Sequence, residues 1–355
     1  MTGIERLKAV FCGEGPDRPA AYAWITNDAL PVHVTGEVFT ESNRERVMLE
    51  TWARCLDVTR VPDGYGLGPD FHPRTQRDAL GYVRRYERWT DWIVEYPYQD
   101  QTGFYGVLEG DIERFRAWTP GAAGQREEDR RRWEAALGGA TVVAGRVTVG
   151  TAPGPYFRDG LENFSYLVAD RPELLATWVQ ARHEMNLRKI ADCADPQACP
   201  VEFLDSDIAY KTSTLVSPQY FKETGWFARV AELVDAYHAA GVWAVFHSDG
   251  DLRPILKDLA ATGIDGLNPI ETAAGMTLPD VRRLVGPRVV LVGGMDNHLL
   301  MSGPAEKVRS RVCQHLREPG SAARLILGSS TEELDESMPL EHQLAFLEAV
   351  RTATQ

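Results

Sequence analysis

Cysteine is scarce in this chain of 355 residues, and long apolar runs are missing from it. The cysteines are odd in number and scattered, which excludes a disulfide-stapled secreted domain and is typical of reduced thiols in the cytoplasm. No segment approaches the roughly eighteen uninterrupted apolar residues of a membrane-spanning helix. The opening MTGIERLKAVFCGEG carries charges where a signal peptide has its apolar core. We therefore expect a cytoplasmic protein that does not associate with a membrane.

Positive charge is also in short supply. The 38 Lys and Arg residues face 51 Asp and Glu residues, which leaves a net charge of −13. Such a surface disfavours nucleic acid or an anionic membrane as the main partner, and a small-molecule substrate is the expected ligand. Cys193 and Cys199 are six positions apart. A lone pair at that spacing is poor evidence for a metal, and two small loop residues are the simpler interpretation.

From about residue 141 onward, short apolar segments alternate with amphipathic helical ones. VEFLDSD, VWAVFHSDG, IDGLNPIE, RVVLVGGMD and RLILGSS each precede a helical pattern. This alternation predicts a parallel sheet covered by helices. The number of units and the absence of a Gly-rich phosphate turn favour an α/β fold of the (β/α)8 TIM-barrel class. We expect a single domain over residues 1–355, in which residues 1–140 are less regular and cover the barrel.

Local signals predict several further elements. The segment GPYFRDG, before the helical pattern of residues 172–193, is expected to be a loop. Residues 217–241 are expected to form one helix, with Ser217 at its N-cap and Gly241 at its end. Residues 61–75 are rich in turn-forming types and predict a loop.

The stretch 87–107 is rich in aromatic residues, which could line a pocket for a flat ligand or form a strand meander over one end of the barrel. Packing is the commoner outcome for such a cluster. Its members are Trp89, Trp92, Tyr96, Tyr98, Phe104 and Tyr105.

The predicted strand ends carry acidic and polar residues, and in this fold the active site lies at those ends. In chain order they are Asp205 and Asp207, His247 and Asp249, Asn268 and Glu271, Asp296 and Asn297, and Ser329, Ser330 and Glu332. Buried carboxylates are unfavourable unless they are paired or bind a cation, so their convergence indicates a site. The candidate catalytic residues are Asp207, Tyr210, His247, Asp249, Glu271 and Asp296. The candidate substrate-binding residues are Lys211, Asn268 and Ser329.

The segment His247-Ser248-Asp249 is the most specific of these signals. Alternate residues of an extended chain point to the same side, so His247 and Asp249 are expected to face one point. Two such side chains suit a shared metal ion, or an acid that orients an imidazole for proton transfer. The structural alternative is that Asp249 caps a helix that starts at Asp251.

Other candidates have structural alternatives of their own. Glu271 could instead cap the loop into the next helix, and Asp296 could belong to a turn whose preceding glycines allow close backbone approach. Tyr210 and Lys211 lie in the same predicted exit loop as Asp207, and they are the candidates for holding an anionic group of the substrate.

Several segments together resemble the uroporphyrinogen decarboxylase superfamily, which also contains zinc-dependent, corrinoid-linked methyltransferases. The matching text is FLDSDIAYKTSTLVSPQYF, GVWAVFHSDGDLRPIL, GIDGLNPIE, VVLVGGMD, and RLILGSS followed later by PLEHQLAFLEAV. The opening RLKAVFCGEGPDRPAAYAW is also similar to the start of the family, whereas residues 60–140 match poorly. The resemblance implies a barrel with its active-site cleft at the C-terminal mouth, and a homodimer.

The chain departs from the family's two best-known activities. The decarboxylases carry an Arg-Gln-Ala-Gly stretch that holds the carboxylates of the tetrapyrrole, but the corresponding text here, AAYAWITNDALP, has no arginine. The thiol methyltransferases bind zinc through His-x-Cys and a later cysteine. Here Asp249 replaces the first of these cysteines, and Ser329 and Ser330 stand at the last strand end. HSDG and NPIE are more similar to the methyltransferase-like branch, which includes ether demethylases.

The resemblance implies methyl transfer from a small methoxylated or methylated substrate to a corrinoid carried by a partner protein. Zinc or another divalent metal would be held by His247, Asp249 and Glu332. The alternative is a decarboxylase or lyase that needs no cofactor, in which Asp207 or Asp249 stabilises an electron-rich ring acid and Tyr210 donates a proton. A third hypothesis is a non-catalytic barrel that binds a tetrapyrrole or a corrinoid protein.

Overall fold

The computed structural model describes residues 1–61, 71–120, 124–318 and 323–353. Its strands are β1 (Ala20–Ala21), β2 (Trp24–Thr26), β3 (Val58–Arg60), β4 (Arg74–Arg77), β5 (Val83–Tyr86), β6 (Asp91–Glu95), β7 (Val142–Ala144), β8 (Val149–Gly150), β9 (Val201–Asp205), β10 (Ala209–Tyr210), β11 (Ser213–Thr214), β12 (Trp243–His247), β13 (Gly266–Asn268), β14 (Val290–Met295), β15 (Leu325–Ser329) and β16 (Glu333–Asp335).

Fourteen α-helices lie between or beside these strands in the described part of the chain. They are α1 (Gly3–Cys12), α2 (Ala29–Thr35), α3 (Arg44–Cys55), α4 (Gln101–Ala117), α5 (Gly124–Leu137), α6 (Tyr156–Asp170), α7 (Pro172–Cys193), α8 (Pro218–Glu223), α9 (Trp226–Ala239), α10 (Leu256–Ala260), α11 (Leu278–Val285), α12 (Asn297–Ser302), α13 (Ala305–Arg317) and α14 (Leu340–Thr352). A short 3-10 helix spans Thr272–Ala274.

The strands close into the predicted (β/α)8 barrel. Seven of them form one parallel sheet in the order β1-β15-β14-β13-β12-β9-β8. Strand β3 completes the ring, because it pairs in parallel with β7 and meets the end of β1 through a bridge between Tyr22 and Val58. Strands β7 and β8 form one barrel position that is interrupted at Gly145. There the carboxylate of Glu202, on β9, accepts the backbone N–H groups of Gly145 and Val147.

Alternate side chains of the barrel strands pack inside the ring. This inner cluster contains Ala20, Tyr22, Val58, Val142, Ala144, Val201, Phe203, Val245, Val290, Val292 and Ile326. Helix α1 closes the N-terminal end with Leu7, Val10 and Phe11, and each large apolar side chain buried in this way contributes roughly 1.5–3 kcal/mol. Because side chains alternate along a strand, the inward face of β9 ends at Asp205 and that of β12 ends at His247.

The aromatic residues of the stretch 87–107 pack against one another, which is the commoner of the two outcomes expected for them. Strands β4, β5 and β6 form an antiparallel meander, and α4 begins within the stretch at Gln101. Tyr98 contacts Tyr96 and Phe104, with ring centroids 5.3 and 5.4 Å apart. None of the six aromatic residues of this stretch lines the cavity described below.

Two of the predicted local elements are wrong. The segment GPYFRDG contains the first turn of α6, where Gly160, at φ 84°, kinks the helix before Phe164 and Leu167 become buried. The predicted helix over 217–241 is divided into α8 and α9 at Gly225, which has φ 67°. The loop predicted over 61–75 agrees with the structure at residues 61 and 71–73, but β4 begins already at Arg74, and residues 62–70 lie outside the described part of the chain.

The predicted ends of the divided helix are confirmed. The hydroxyl of Ser217 accepts the N–H of Tyr220 at the N-cap of α8, and Gly241 follows α9 with φ 77°. None of the described helices is both long and apolar enough to cross a membrane.

Candidate active site

A cavity of about 570 Å³ opens at the C-terminal mouth of the barrel. Its walls combine aromatic, cationic and acidic side chains, and such a mixture in one concave site is typical of ligand-binding pockets. They are Trp24, Arg60, Phe157, Arg158, Trp178, Arg182, Asp205, Ser206, Asp207, His247, Asp249, Thr331, Glu332 and Glu333, together with Gly150, Ala152, Gly154 and Pro155.

Asp207, His247 and Asp249 converge in this cavity. One ligand atom from each of the three lies within 4.8 Å of those of the other two. His247 Nε2 is 3.2 Å from Asp207 Oδ1. His247 and Asp249 thus do face one point, as their spacing in extended backbone predicts, and Asp207 joins them from the neighbouring strand end.

The imidazole of His247 is buried and held in place by Asn268. His247 Nδ1 lies 2.8 Å from Asn268 Oδ1, on the adjacent strand β13. If Nδ1 carries the proton in the neutral ring, it donates to this amide oxygen and Nε2 is left with a lone pair toward the two aspartates. Burial opposes protonation of the ring. The charges of Glu332, Asp207 and Asp205 outweigh that effect and raise the pKa of His247 well above its ordinary value.

Asp207 lies in an unusual backbone conformation. Its φ is +40°, a region that few residues with side chains adopt. Its Oδ1 accepts the N–H of Asp249 at 3.3 Å as well as facing His247. Burial favours the neutral acid, but the hydrogen bond and charge of His247 prevail, and the pKa of Asp207 is lowered. Such local strain recurs at functional sites.

Asp249 is free to bind a ligand. The alternative that it caps a helix starting at Asp251 is wrong, because the next helix begins at Leu256 and Asp251 instead pairs with Arg253. Its Oδ1 is buried and has no hydrogen-bond partner within the described part of the chain. Burial first, and then the charges of Asp207, Glu332 and Glu271, raise its pKa to about 7.

Glu332 belongs to a different network on the other side of His247. The hydroxyl of Tyr22 donates to Glu332 Oε2, and Arg60 Nη1 lies 3.3 Å from Glu332 Oε1. Arg60 Nη2 also lies 2.6 Å from Asp205 Oδ2. Glu332 Oε2 is 3.6 Å from His247 Nδ1, on the side of the ring away from Asp207. The metal-ligand role predicted for Glu332 therefore does not fit, and Asp207 stands in its place beside His247 and Asp249.

The other predicted site residues lie outside the walls of the cavity. Glu271 Oε2 accepts the N–H of Gly250 at 2.6 Å, and Asp296 caps α12 by accepting the N–H of His298. Tyr210 and Lys211 lie on the exposed β10–β11 hairpin, with Tyr210 half exposed. A direct role in catalysis or substrate binding does not fit these four positions.

Asn268 and Ser329 are fully buried and contact no part of the cavity. Asn268 acts on the site only through the imidazole of His247. The hydroxyl of Ser329 has no partner among the described residues. The glycines before Asp296 accommodate protein rather than ligand, because a Cβ at Gly293 would lie 3.0 Å from the backbone of Ile270.

The aromatic and cationic walls of the cavity were not predicted from the sequence. These residues are Trp24, Arg60, Phe157, Arg158, Trp178 and Arg182. Trp178 and Arg182 are one helical turn apart in α7, between the buried residues Leu175 and Asn186. A tryptophan and an arginine in that register are the signal that could have pointed to them. Arg60 ends a strand of only three residues, which is too short for the alternation of buried and exposed side chains to be recognised in the sequence.

Asp207, His247 and Asp249 form a donor set that fits a divalent cation. One imidazole nitrogen and two carboxylates are ligands that zinc accepts in proteins. The unpartnered Oδ1 of Asp249, and the amide of Asn268 behind the imidazole, match the usual organisation of such sites. The cysteines do not take part, since Cys199 is buried and donates to the carbonyl of Val201.

Comparison with known proteins agrees with this architecture. A methyltransferase from Methanosarcina mazei has a similar structure, with a TM-score of 0.65 and 18% sequence identity over 99% of this chain and 98% of that one. No curated protein matches the sequence. Residues 154–353, more than half of the chain and including Asp207, His247 and Asp249, match the family described as uroporphyrinogen decarboxylase (URO-D). The chain therefore belongs to the uroporphyrinogen decarboxylase family.

Proposed function

We propose that this chain is a methyltransferase-like enzyme that demethylates a small methoxylated or methylated substrate with the help of a divalent metal, most simply zinc. The observation that carries the proposal is the convergence of Asp207, His247 and Asp249 in a cavity with aromatic walls. The structural likeness to a methyltransferase supports the fold, and family membership supports an enzyme. A corrinoid carried by a partner protein is the proposed methyl acceptor.

In this proposal different residues of the chain have different roles. Asp207, His247 and Asp249 hold the cation, which when bound supplies Lewis acidity to the heteroatom that leaves. Asn268 fixes the imidazole, so that Nε2 remains directed into the cavity. Trp24, Phe157 and Trp178 enclose the substrate and exclude water. The bond between methyl carbon and heteroatom breaks and its electron pair stays on the heteroatom, which takes up a proton from solvent as the product leaves. The methyl group forms its new bond with an electron pair that the acceptor supplies.

Elemental analysis of the purified protein tests the metal. We expect about one zinc per chain in the wild type, and loss of zinc in His247→Ala because the only nitrogen ligand is gone. Asp296→Asn is the matched control, since Asp296 also follows a barrel strand but caps α12, and it should keep its zinc. A wild-type protein without metal after zinc supplementation, or full zinc in His247→Ala, would contradict the proposal.

Methyl transfer itself is tested with free cob(I)alamin, whose absorbance changes on methylation. The wild type is expected to demethylate a methoxylated aromatic donor, and a chelator or His247→Ala should abolish the reaction. Asp296→Asn should retain it. Demethylation that survives both treatments would overturn the role of the metal.

One observation favours a second candidate, a metal-free decarboxylase or lyase. Asp249 has a buried carboxylate oxygen without a hydrogen-bond partner among the described residues, and it lies close to Asp207. A carboxyl group in that setting is able to hold a proton and deliver it to a ring carbon as carbon dioxide leaves. Release of carbon dioxide from an aromatic acid by metal-free protein, lost in Asp249→Asn, would favour this function over methyl transfer.

A further inference from the structure

Three guanidinium groups line the cavity, and two of them are neutralised by carboxylates of the protein. Arg60 lies between Asp205 and Glu332. Arg158 Nη2 lies 2.6 Å from Asp111 Oδ2 and 2.8 Å from Asp159 Oδ2. Each of these two arginines thus has two acidic partners, so its positive charge is already compensated within the protein.

Arg182 is different, because none of the described residues offers it a carboxylate as a salt-bridge partner. Its Nη2 donates to the carbonyl oxygen of Ala152, and its guanidinium lies over the ring of Trp178, 4.5 Å from the ring centroid. A guanidinium stacks on aromatic faces more readily than an ammonium does, so this contact favours arginine at the position. Burial lowers the pKa of Arg182 to about 10, so the group still carries its charge at neutral pH.

A largely buried cation without a counter-ion is unfavourable unless a ligand neutralises it. The cavity brings such a ligand within reach, since Arg182 lines it together with Trp178 and Phe157. A planar guanidinium presents parallel N–H donors, and its best complement is a carboxylate bound through both oxygens. The aromatic walls favour a flat apolar body for the rest of the ligand.

The position of Arg182 relative to the acidic cluster also fits one substrate. Arg182 packs beside Gly150 and Ala152, at the end of β8. Strand β9, which leads to Asp207, lies between β8 and β12, which ends at His247. Neighbouring strands are about 4.8 Å apart, so the end of β8, against which the guanidinium of Arg182 packs, lies roughly 10 Å from the end of β12. An aromatic ring with substituents at opposite ends bridges such a gap.

We infer that the substrate is an aromatic carboxylate whose acid group binds Arg182 and whose methylated substituent lies at the Asp207–His247–Asp249 cluster. The inference rests on the proposed methyl transfer for the second half of this statement. The first half, binding of an aromatic carboxylate by Arg182, stands on the cavity alone. It can therefore fail or succeed without the metal site.

Binding of two matched probes tests the inference. 4-Methoxybenzoate and 4-methoxybenzamide have nearly the same shape, but only the first carries a charge. Calorimetric titration of the wild type as purified should show a preference for the benzoate on the order of tenfold to a hundredfold. The preference should vanish in Arg182→Met and persist in part in Arg182→Lys, which keeps a positive charge on the same helix.

Arg188→Met is the control variant. Arg188 is also on α7 and donates to a backbone carbonyl, that of Phe115, but it does not line the cavity. This variant should keep the wild-type preference. Thermal unfolding and zinc content of each variant show whether fold and metal site are intact.

Equal affinity of the wild type for the two probes, or no binding of either at millimolar concentration, would overturn the inference. So would an unchanged preference in a folded Arg182→Met protein. None of these results touches the zinc content, so a failure here is distinguishable from a failure of the proposed metal site. If zinc is absent while the carboxylate preference depends on Arg182, the substrate class stands and the metal-assisted reaction does not.

Discussion

Asn268 lies behind the candidate site and contacts it only through the imidazole of His247. Its amide oxygen accepts from one nitrogen of His247, and its amide nitrogen lies 3.5 Å from the carbonyl of Val292. Because the amide is fixed from both sides, the ring of His247 has one preferred orientation. Hydrogen-bond partners that hold a metal ligand from behind in this way commonly set the affinity of the site.

Replacing Asn268 by alanine is expected to lower the affinity for zinc by about 10- to 100-fold, because the imidazole loses its orienting partner. Asn268→Asp keeps an acceptor at the same place and should retain most of the affinity. Competition with a fluorescent zinc chelator measures the difference.

Asn163→Ala provides the control for this comparison. Asn163 donates to Tyr98 and to the carbonyl of Asp159, and it does not line the cavity. Its replacement should leave zinc affinity unchanged. An Asn268→Ala protein that is folded and binds zinc as tightly as the wild type would show that His247 does not depend on this amide.

The spacing of His247 and Asp249 was sufficient to predict that they face one point, because it follows from the two-residue period of extended backbone. The contribution of Asp207 could be named, but its place beside His247 could not, since it depends on a backbone angle of +40°. The role of metal ligand was wrongly predicted for Glu332 for a related reason. Its neighbours Tyr22 and Arg60 are far away in sequence, and only the closed barrel brings them together.

At the scale of single elements, the loop that follows β12 depends on a glycine. Gly250 has φ +91°, and a Cβ there would lie 2.6 Å from the carbonyl carbon of Ala209 and 2.7 Å from the nitrogen of Tyr210. The N–H of Gly250 donates to Glu271, which ties the same loop to the exit of β13. Asp249 directly precedes this glycine. Its position is therefore set by the close packing of Gly250 against Ala209 and Tyr210 and by the hydrogen bond from Gly250 to Glu271.

Gly250→Ala is expected to lower the free energy of unfolding by about 2–5 kcal/mol, from the strained φ together with the backbone clash. Gly286→Ala separates the two effects, because Gly286 has φ +83° but no atom of the described residues lies within 4 Å of where its Cβ would be. That variant should lose about 1–3 kcal/mol, from its backbone conformation alone. Urea unfolding of both variants gives the comparison.

A second readout links the loop to the site. Gly250→Ala should also weaken zinc binding, whereas Gly286→Ala should not. Equal destabilisation by the two substitutions would mean that the β10–β11 hairpin moves aside readily and does not constrain the loop.

The elements that could be predicted well from the sequence share one property. Strands β9, β12, β14 and β15 are five or six residues long, which is long enough for an apolar strand to be recognised in the sequence. The barrel strands that escaped prediction, such as β3, have two or three residues, and too few positions exist to show an alternation. The start of α6 was not predicted for another reason. Gly160 interrupts the helical period, so the segment looks like a loop in the sequence.

At the scale of the whole molecule, the fold divides four of the five cysteines into an exposed and a buried pair. Cys12 and Cys313 are exposed, whereas Cys55 and Cys199 are buried. Burial raises the pKa of Cys55 to about 11 and that of Cys199 well above its ordinary value. A raised thiol pKa keeps the unreactive protonated form at pH 8, and the thiolate would form only as the pH approached the raised value.

We expect Ellman's reagent at pH 8 to modify Cys12 and Cys313 rapidly in the native protein, and Cys55 and Cys199 only after unfolding in guanidinium. Absorbance with and without denaturant counts the thiols. Replacing both exposed cysteines by serine should remove the fast phase. Rapid modification of Cys199 in the native state would show that the inner cluster of the barrel opens more readily than its packing indicates.

The homodimer implied by the family resemblance stays a prediction, and sedimentation velocity of the purified chain measures it directly. A monomer at micromolar concentration would contradict it. The cavity and its acidic cluster are built from one chain, so this result leaves the proposed function unaffected.

Backbone pairing between neighbouring barrel strands is more extensive on one side of the ring than on the other. Between β9 and β12 five residue pairs are in register, whereas β3 contributes three pairs to β7 and a single bridge toward β1. Backbone amides at this seam should therefore exchange with deuterium sooner than those of β9 and β12, because local opening breaks fewer hydrogen bonds there. Arg60 sits at the end of β3 and reaches across to Asp205 and Glu332. We therefore expect a ligand that draws either carboxylate away from Arg60 to increase the exchange rate of the β3 amides.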